Sequence, residues 1–202
     1  AVAERFGREG FDVALVARRA DRLRAGVLEL QAKGVRAEAF PADLADAASI
    51  EKLVGSVRAK LGPITVLHWN AYAGTAGDLL EADLDEVRHV FDLPVVGLLA
   101  AVRASLPDLR SQKGALLVTN GGLGLNDPQM DALAIEWSAQ GIAVSNAAKH
   151  KLVGLLSTKL KPEGVYVGEV VVLSLVKGTP FDSGSATLEA STVASRFMNP
   201  DW

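Results

Sequence analysis

The stretch FDVALVARRADRLRAGVLELQAKGVRAEAFPADL, residues 11–44, predicts a strand, a helix and a second strand in succession. Residues 11–17 form a short apolar run with β-branched members, closed by two arginines, as in a buried strand. The next segment carries Leu23, Val27 and Leu30 on one helical face and ends at a glycine. The strand pattern returns immediately afterwards. This order predicts two parallel strands joined by a crossover helix.

The same alternation continues along the rest of the chain. Further strand and helix patterns lie at residues 64–67, 83–107, 115–119, 143–160 and 165–173. Uniformly apolar strands separated by helices predict a parallel sheet that helices cover on both faces. We therefore predict an α/β fold: a single Rossmann-like doubly wound domain, with a parallel sheet flanked by helices, over residues 1–202.

Composition narrows the classes of function. The 202 residues are 49% hydrophobic with a net charge of −3, which argues against a disordered chain and against a basic nucleic-acid-binding surface. No cysteine is present, which excludes disulfides and thiolate nucleophiles and makes a reducing cytoplasm the expected location. The histidines lack metal-ligand spacing, and the longest uncharged central stretch, residues 93–102, is shorter than a membrane span. We expect no metal, nucleic acid or membrane as a partner.

Ligands of open parallel sheets bind at the carboxyl ends of the strands, so the residues that follow each strand are the candidates for a site. Those segments are Ala17-Arg18-Arg19, Asp43-Leu44, Trp69-Asn70-Ala71, Thr119-Asn120-Gly121-Gly122 and residues 174–179. Taken in order, they resemble the short-chain dehydrogenase/reductase superfamily, and the resemblance covers nearly the whole chain. It implies an oxidoreductase that passes hydride between a nicotinamide dinucleotide and a small carbonyl or alcohol substrate.

The resemblance also implies which cofactor is bound. An acidic residue at the position of Ala17 is typical of members that prefer NAD, whereas a neighbouring arginine can neutralise the 2′-phosphate of NADP. Arg18 therefore favours NADP over NAD, and Arg19 is the second candidate for the same contact. The family pattern implies further cofactor contacts from Asp43, Leu44, Asn70, Ala71, Lys149 and Thr179.

The family's first strand and its T-G-x-x-x-G-x-G loop have no counterpart in residues 1–202. In the family, that loop and the helix after it hold the dinucleotide pyrophosphate with backbone N–H groups. A doubly wound sheet without its central strand would leave two neighbouring strands unpaired. We therefore expect the native protein to have such a segment before Ala1. At the other end, residues 180–202 are the expected substrate lid.

The family's catalytic positions are only partly matched. Members use a Tyr hydroxyl as general acid or base and a Lys four residues later on the same helix face. The corresponding segment here reads Ser145-Asn146-Ala147-Ala148-Lys149, so the lysine is present and a serine replaces the tyrosine. Where the family has its serine, Thr119 and Asn120 are the nearest candidates. Pro94 stands at the family's asparagine position and predicts a kinked helix.

Two functions therefore stay open at the level of sequence. One is an atypical NADP-dependent oxidoreductase with Lys149 and Ser145 as catalytic residues. The other is a catalytically inactive pseudoenzyme that binds a dinucleotide or a protein partner. Hydrolase chemistry from a Ser145–Lys149 nucleophile pair is a third interpretation.

Several residues could supply the general acid that the family's tyrosine provides. The stretch between Gly121 and Ser145 is longer than in the family and offers Asp127, Asp131 or Glu136; Tyr72 is another candidate.

By analogy with the family, the helices predicted at residues 83–107 and 143–160 form subunit contacts, so we expect a homodimer or homotetramer.

Overall fold

One or two α-helices separate each strand from the next in this computed structural model, which describes residues 1–72, 74, 76–179 and 181–198. Pro180 and residues 199–202 of the expected lid therefore lie outside the described residues. The described strands are β1 (Val13–Ala17), β2 (Ala37–Pro41), β3 (Val66–Trp69), β4 (Ala115–Gly121) and β5 (Tyr166–Val172). The described α-helices are α1 (Val2–Arg8), α2 (Ala20–Ala32), α3 (Ala47–Leu61), α4 (Leu84–His89), α5 (Leu98–Ser111), α6 (Pro128–Glu136), α7 (Gln140–Leu160) and α8 (Ala190–Arg196).

The strands are parallel and form two sheets. In the first, β1 pairs with β2, and Ala17 lies opposite Pro41. In the second, β4 lies between β3 and β5, and Trp69 lies opposite Val118. β1 and β3 border a cleft of about 1520 Å³ and share no ladder within the described part of the chain. The predicted parallel α/β architecture is confirmed, with the sheet divided between β1 and β3.

The central strand β4 buries both of its faces. Leu116 and Val118 join a cluster that includes residues of α5 and α7, such as Leu98 and Leu156. Ala115 and Leu117 point to the opposite face, where they join Phe6 of α1 and Phe197, which follows α8. Because successive side chains of a strand alternate between faces, helices must cover both sides of this sheet, as predicted.

The helix predicted over residues 83–107 is divided in the structure. After α4, residues Asp92–Gly97 form a π-helical turn that leads directly into α5. Pro94 lies inside this turn and has no N–H to donate, while the N–H groups of Val95 and Val96 both donate to Phe91 O at 3.1 Å. The expected irregularity at Pro94 is thus a change from α-helical to π-helical hydrogen bonding.

One helical stretch has the length and composition of a membrane span. Leu84–Ser111 has a mean hydropathy of 1.5 over its most apolar window, which is 39% buried in the protein. Leu98 and Leu109 in this stretch are fully buried, and Leu98 packs in the cluster that contains Leu116. The stretch therefore serves here as a core helix of the α/β fold.

Candidate functional site

Six of the eight predicted cofactor-binding residues line the cleft between the two sheets. They follow β1, β2, β3 and β5, and they are Arg18, Asp43, Leu44, Asn70, Ala71 and Thr179. Because these strands run parallel, their carboxyl ends lie at the same edge of the molecule. The two remaining residues are Arg19, beside the cleft, and Lys149, which lies on α7.

The two arginines after β1 differ in their contacts. Arg19 donates to the carboxylate of Asp21, with Nη2 at 2.6 Å from Oδ2 and Nε at 3.3 Å from Oδ1. Arg18 is exposed and makes no ion pair with any residue that the structure describes. Of the two arginines, Arg18 can therefore bind an anionic ligand at this end of the cleft, whereas Arg19 forms an ion pair with Asp21.

The other cleft residues are held by local backbone contacts. Asp43 Oδ1 accepts from the N–H of Ala45 at 3.0 Å, which fixes the turn after β2. Leu44 packs against the main core cluster. The hydroxyl of Thr179 donates to Val176 O at 2.8 Å. These contacts shape the segments around the cleft before any ligand is present.

The helix α7 carries three buried polar residues. Ser145, Asn146 and Lys149 are 3%, 6% and 2% exposed. The hydroxyl of Ser145 donates to Ile142 O at 3.1 Å, so its proton is engaged within its own helix. Positions 145 and 149 share one helix face, so Ser145 and Lys149 lie on the same side, as the family motif requires.

A hydrogen-bonded cluster ties α7 to β4 and β5. Asn120 Nδ2 donates to Asn146 O at 3.0 Å and to Glu169 Oε1 at 2.7 Å, while Asn120 Oδ1 accepts from the N–H of Gly121. The other carboxylate oxygen of Glu169 contacts His150 Nδ1. Asn120 is therefore fully used within the protein and is not free to replace the family's serine.

Burial changes the acidity of Lys149. Removal from water lowers the pKa of its ammonium from 10.5 to about 8, and the charge of nearby Glu169 opposes that shift. At neutral pH the ammonium keeps its proton, yet it can release that proton far more readily than an exposed lysine. This places an acid of suitable strength on the predicted catalytic helix.

Thr119, the second candidate for the serine position, is also engaged. Its Oγ1 lies 3.0 Å from His68 Nε2, and the imidazole of His68 packs edge-on against Phe197 with ring centroids 4.8 Å apart. Burial lowers the pKa of His68 to about 4, so this histidine is neutral at pH 7. The pair bridges β3 and β4 from inside the cleft.

The acids suggested for the long segment after Gly121 lie at the surface. Asp127 accepts from the N–H groups of Gln129 and Met130 as the N-cap of α6. Asp131 and Glu136 are exposed on that helix. Within the described ranges, no group of three or more His, Asp or Glu residues is placed to hold a metal ion.

Tyr72, the remaining candidate acid, is half-exposed beside β3. Its ring centroid lies 5.5 Å from that of Phe181, in the segment expected to form a lid. Tyr72 lines the cleft, and Phe181 packs against its ring.

Three residues of the site were not predicted from the sequence: Asn146, Glu169 and His68. Two of them carried a detectable signal, since Glu169 and His68 are polar residues inside otherwise apolar strands. Asn146 carried none, because its importance depends on which residues of β4 it meets.

Comparison with known proteins identifies the family. Residues 1–180 match the family model of the short chain dehydrogenases. The chain belongs to the short-chain dehydrogenase family. The curated relatives include meso-2,3-butanediol dehydrogenase of Serratia marcescens, which is 31% identical over 180 residues, 88% of this chain and 66% of the relative.

Two solved structures that this chain resembles contain NADPH. L-sorbose reductase of Gluconobacter frateurii, determined with NADPH and L-sorbose, superposes with a TM-score of 0.77 at 25% identity, over 87% of this chain and 64% of its own. An NADPH-bound short chain oxidoreductase of Pseudomonas aeruginosa, described as containing an atypical catalytic center, gives 0.77 and 25%, over 88% of this chain and 66% of its own. The chain thus spans about two thirds of the length of these relatives.

Proposed function

We propose that this short-chain dehydrogenase is an atypical NADP(H)-dependent oxidoreductase that acts on a small carbonyl or alcohol substrate. One observation carries the proposal: residues that follow four different strands, each predicted as a cofactor contact, line a single cleft. That cleft opens at the carboxyl ends of the strands, where open parallel sheets bind ligands. The NADPH-bound relatives support the choice of a nicotinamide dinucleotide.

The residues around the cleft fit the two halves of such a cofactor. The unpaired guanidinium of Arg18 matches the charge of a 2′-phosphate, which favours NADP over NAD. Asp43 and Leu44 offer a carboxylate and an apolar wall for the adenine. Thr179 and Lys149 would hold the nicotinamide half, and Asn70 and Ala71 line the cleft between these two groups of residues.

The proton must come from the chain's own residues. When bound, the nicotinamide supplies or accepts a hydride, while a neighbouring acid or base exchanges a proton with the substrate oxygen. Lys149 suits this role, because its pKa of about 8 lies close to neutral pH. The Ser145 hydroxyl is a far weaker acid and is bonded to Ile142 O, so we assign it to positioning the substrate beside Lys149.

The divided sheet supports a further part of the proposal. Among the residues that the structure describes, β1 and β3 each present an unpaired edge to the cleft, and such edges are normally paired or covered. A parallel strand between them would join the two sheets of residues 1–202 into one doubly wound domain, and a loop at its end would reach the pyrophosphate. A cytoplasmic location, a homodimer or homotetramer, and a lid formed by residues 180–202 belong to the same proposal.

A second candidate function is a dinucleotide-binding protein without turnover. The engaged hydroxyl of Ser145 favours it, since the position of the family's tyrosine then offers no free acid. The two functions differ in one measurable property, the oxidation of bound NADPH.

Fluorescence and absorbance measurements on the intact protein separate the two. NADPH is first titrated by fluorescence, and its absorbance at saturation is then followed with a panel of aldehydes, ketones and quinones. Binding followed by substrate-dependent oxidation supports the oxidoreductase. Binding without oxidation across the panel supports the second candidate, and absence of binding excludes both.

A further inference from the structure

The amide of Asn146 fills the space that a side chain at Gly121 would occupy. A Cβ atom placed on Gly121 would lie 2.8 Å from Asn146 Nδ2 and 3.9 Å from Asn146 Cγ. A Cβ on Gly124 would lie 2.6 Å from Asn146 Cβ. The 2.8 Å and 2.6 Å distances are shorter than real Cβ contacts allow. Gly121 therefore leaves room for the Asn146 amide, while Gly124, whose Cβ would also lie 2.5 Å from Ala147 N, lets the backbone of α7 come close.

This filled space coincides with the family's missing serine. Gly121 is the last residue of β4 and belongs to the segment where the family pattern has that serine. The two candidates suggested by sequence are both engaged, Thr119 with His68 and Asn120 with Glu169. The Asn146 amide is therefore the polar group that lies against this position.

The Asn146 side chain is buried but unpaired. The residue is 6% exposed, and its amide makes no hydrogen bond with the residues that the structure describes. A buried amide normally has a partner in the protein or in a ligand. Trp69 Nε1 and Ser105 Oγ are the fully enclosed unpaired side-chain atoms of the described chain. The Asn146 amide is not among them, so it is not fully enclosed.

The amide is also fixed in place and lies near the proposed acid. Asn120 donates to Asn146 O and to Glu169, which holds this turn of α7 against β4 and β5. Asn146 and Lys149 are three residues apart, a spacing that puts both side chains on neighbouring parts of one helix face. A donor held rigidly in a buried site stabilises developing charge without having to reorganise.

We propose that Asn146 takes over the role of the family's serine and donates a hydrogen bond from Nδ2–H to the carbonyl oxygen of the substrate. The inference rests on the proposed oxidoreductase function. The amide stays neutral and keeps its protons at every working pH, and Lys149 supplies the proton to the same oxygen. Gly121 leaves the space that the Asn146 amide enters from α7, and Gly124 allows the close approach of the α7 backbone.

The first test compares two replacements of Asn146 in the intact protein. Asn146→Ala removes the donor, and Asn146→Asp keeps the shape but carries no N–H at neutral pH. Each is expected to lower kcat for carbonyl reduction by about 10²–10³-fold, the usual cost of losing one such donor. The Kd for NADPH should stay within about twofold of the original protein. Gly154→Ala, at an open position on the same helix, is the matched control and should leave kcat unchanged.

The second test restores a donor from the opposite element. In the Asn146→Ala background, Gly121→Ser places a hydroxyl in the vacated space, and we expect it to recover at least about tenfold in kcat. Gly121→Ser alone should lower kcat, because the new side chain displaces the amide. A purely structural role for Asn146 would not be rescued by a serine on β4.

A binding measurement gives an answer that does not depend on turnover. The side-chain amide signal of Asn146, assigned by its loss in Asn146→Ala, should shift in ¹⁵N spectra when a reactive carbonyl compound is added in the presence of NADP⁺. If the original protein reduces the compound and Asn146→Ala keeps its kcat/KM, the role of Asn146 is refuted while the oxidoreductase function stands. If the original protein reduces no compound of the panel, both proposals fail together.

Discussion

At the scale of single residues, Lys149 is the group on which the proposed chemistry depends. It is almost completely buried on α7, beside a cluster that contains one carboxylate, Glu169. Burial pushes the pKa of the ammonium down, and the carboxylate pushes it up. The balance between these two effects sets the pH range in which Lys149 can donate a proton.

We expect Glu169→Gln to move the pH dependence of carbonyl reduction. Reduction requires the protonated ammonium, so kcat should fall as the pH rises through about 8. Loss of the carboxylate charge leaves the effect of burial unopposed, so this fall should move to lower pH. Glu163→Gln, which alters an exposed glutamate paired with Arg110, is the control. Identical profiles for the two variants would contradict the role of Glu169.

Stability should also respond to Lys149. The folded-state pKa is about 8 and the ordinary value is 10.5, so between these values the unfolded chain binds more protons and stability rises with pH. Lys149→Met removes the buried cation and should raise the free energy of unfolding at pH 7 by up to about 3 kcal/mol, while abolishing reduction. The difference in free energy of unfolding between Lys149→Met and the original protein should shrink as the pH rises from 8 to 10.5. Urea unfolding across that range measures it, and a pH-independent difference would refute the assignment.

Cofactor preference should depend on one arginine of the pair. Arg18→Asp is expected to weaken NADPH binding by about tenfold or more relative to NADH, because it puts a negative charge beside the 2′-phosphate. Arg19→Ala is the matched control, since Arg19 is already paired with Asp21. This variant should change the affinity for NADPH and for NADH only slightly. Fluorescence titrations of both dinucleotides give the comparison. Equal losses for NADPH and NADH in Arg18→Asp would refute the NADP preference.

The sequence predicted the positions of individual site residues unevenly, for a physical reason. Lys149 and Ser145 could be predicted as candidates because their spacing along one helix is a local pattern. Asn146 and Glu169 were missed because Asn120 joins them across 26 and 49 residues of chain, and such pairs depend on strand register. The sequence put Arg18 ahead of Arg19 by its position alone, and the contact between Arg19 and Asp21 adds a structural reason for that order.

At the scale of elements, the start of α5 is set by its contact with the loop after β2. A Cβ atom on Gly97 would lie 2.2 Å from Leu44 O, a backbone atom that cannot rotate away. The glycine therefore lets the π-helical turn press against Asp43-Leu44, the segment assigned to the adenine. The sequence predicted an irregular helix from Pro94, but it could not predict this contact or the π-helical form.

Gly97→Ala is expected to destabilise the protein by about 1–3 kcal/mol, since the added methyl group forces the helix and the loop apart. Gly55→Ala provides the control, because a Cβ at that position in α3 meets no atom within 4 Å. It should instead stabilise by about 0.5–1 kcal/mol through the better helix propensity of alanine. Thermal and urea unfolding measure both effects. Destabilisation of equal size in both variants would show that close packing at Gly97 is not the cause.

At the scale of the whole molecule, the alternation of strands and helices predicted the architecture, because each element carries its own hydrophobic period. The division of the sheet was predictable only through the resemblance to the family. The sequence patterns of β1 and β3 do not show whether each is an edge strand or a central strand of the sheet, since both strands are short and largely apolar. The structure shows the division as two strand edges on either side of one cleft.

Hydrogen exchange can test whether a strand fills that cleft in the intact protein. Alternate residues of a parallel strand direct their backbone groups to opposite neighbours. Val13 N–H donates to Arg36 O on the β2 side, and Thr65 O accepts from Ala115 N on the β4 side, so Ala14, Val16, Val66 and His68 face the cleft.

With a strand in place, the amides of Ala14, Val16, Val66 and His68 should be protected to about the level of Leu117, a buried residue of the central strand. They would then exchange only when the sheet opens. Exchange of all four at the rate of unprotected amides, with Leu117 still protected, would mean that β1 and β3 are true edges. In that case the dinucleotide would have to be held by the residues around the cleft alone, without a phosphate-binding loop between the two sheets.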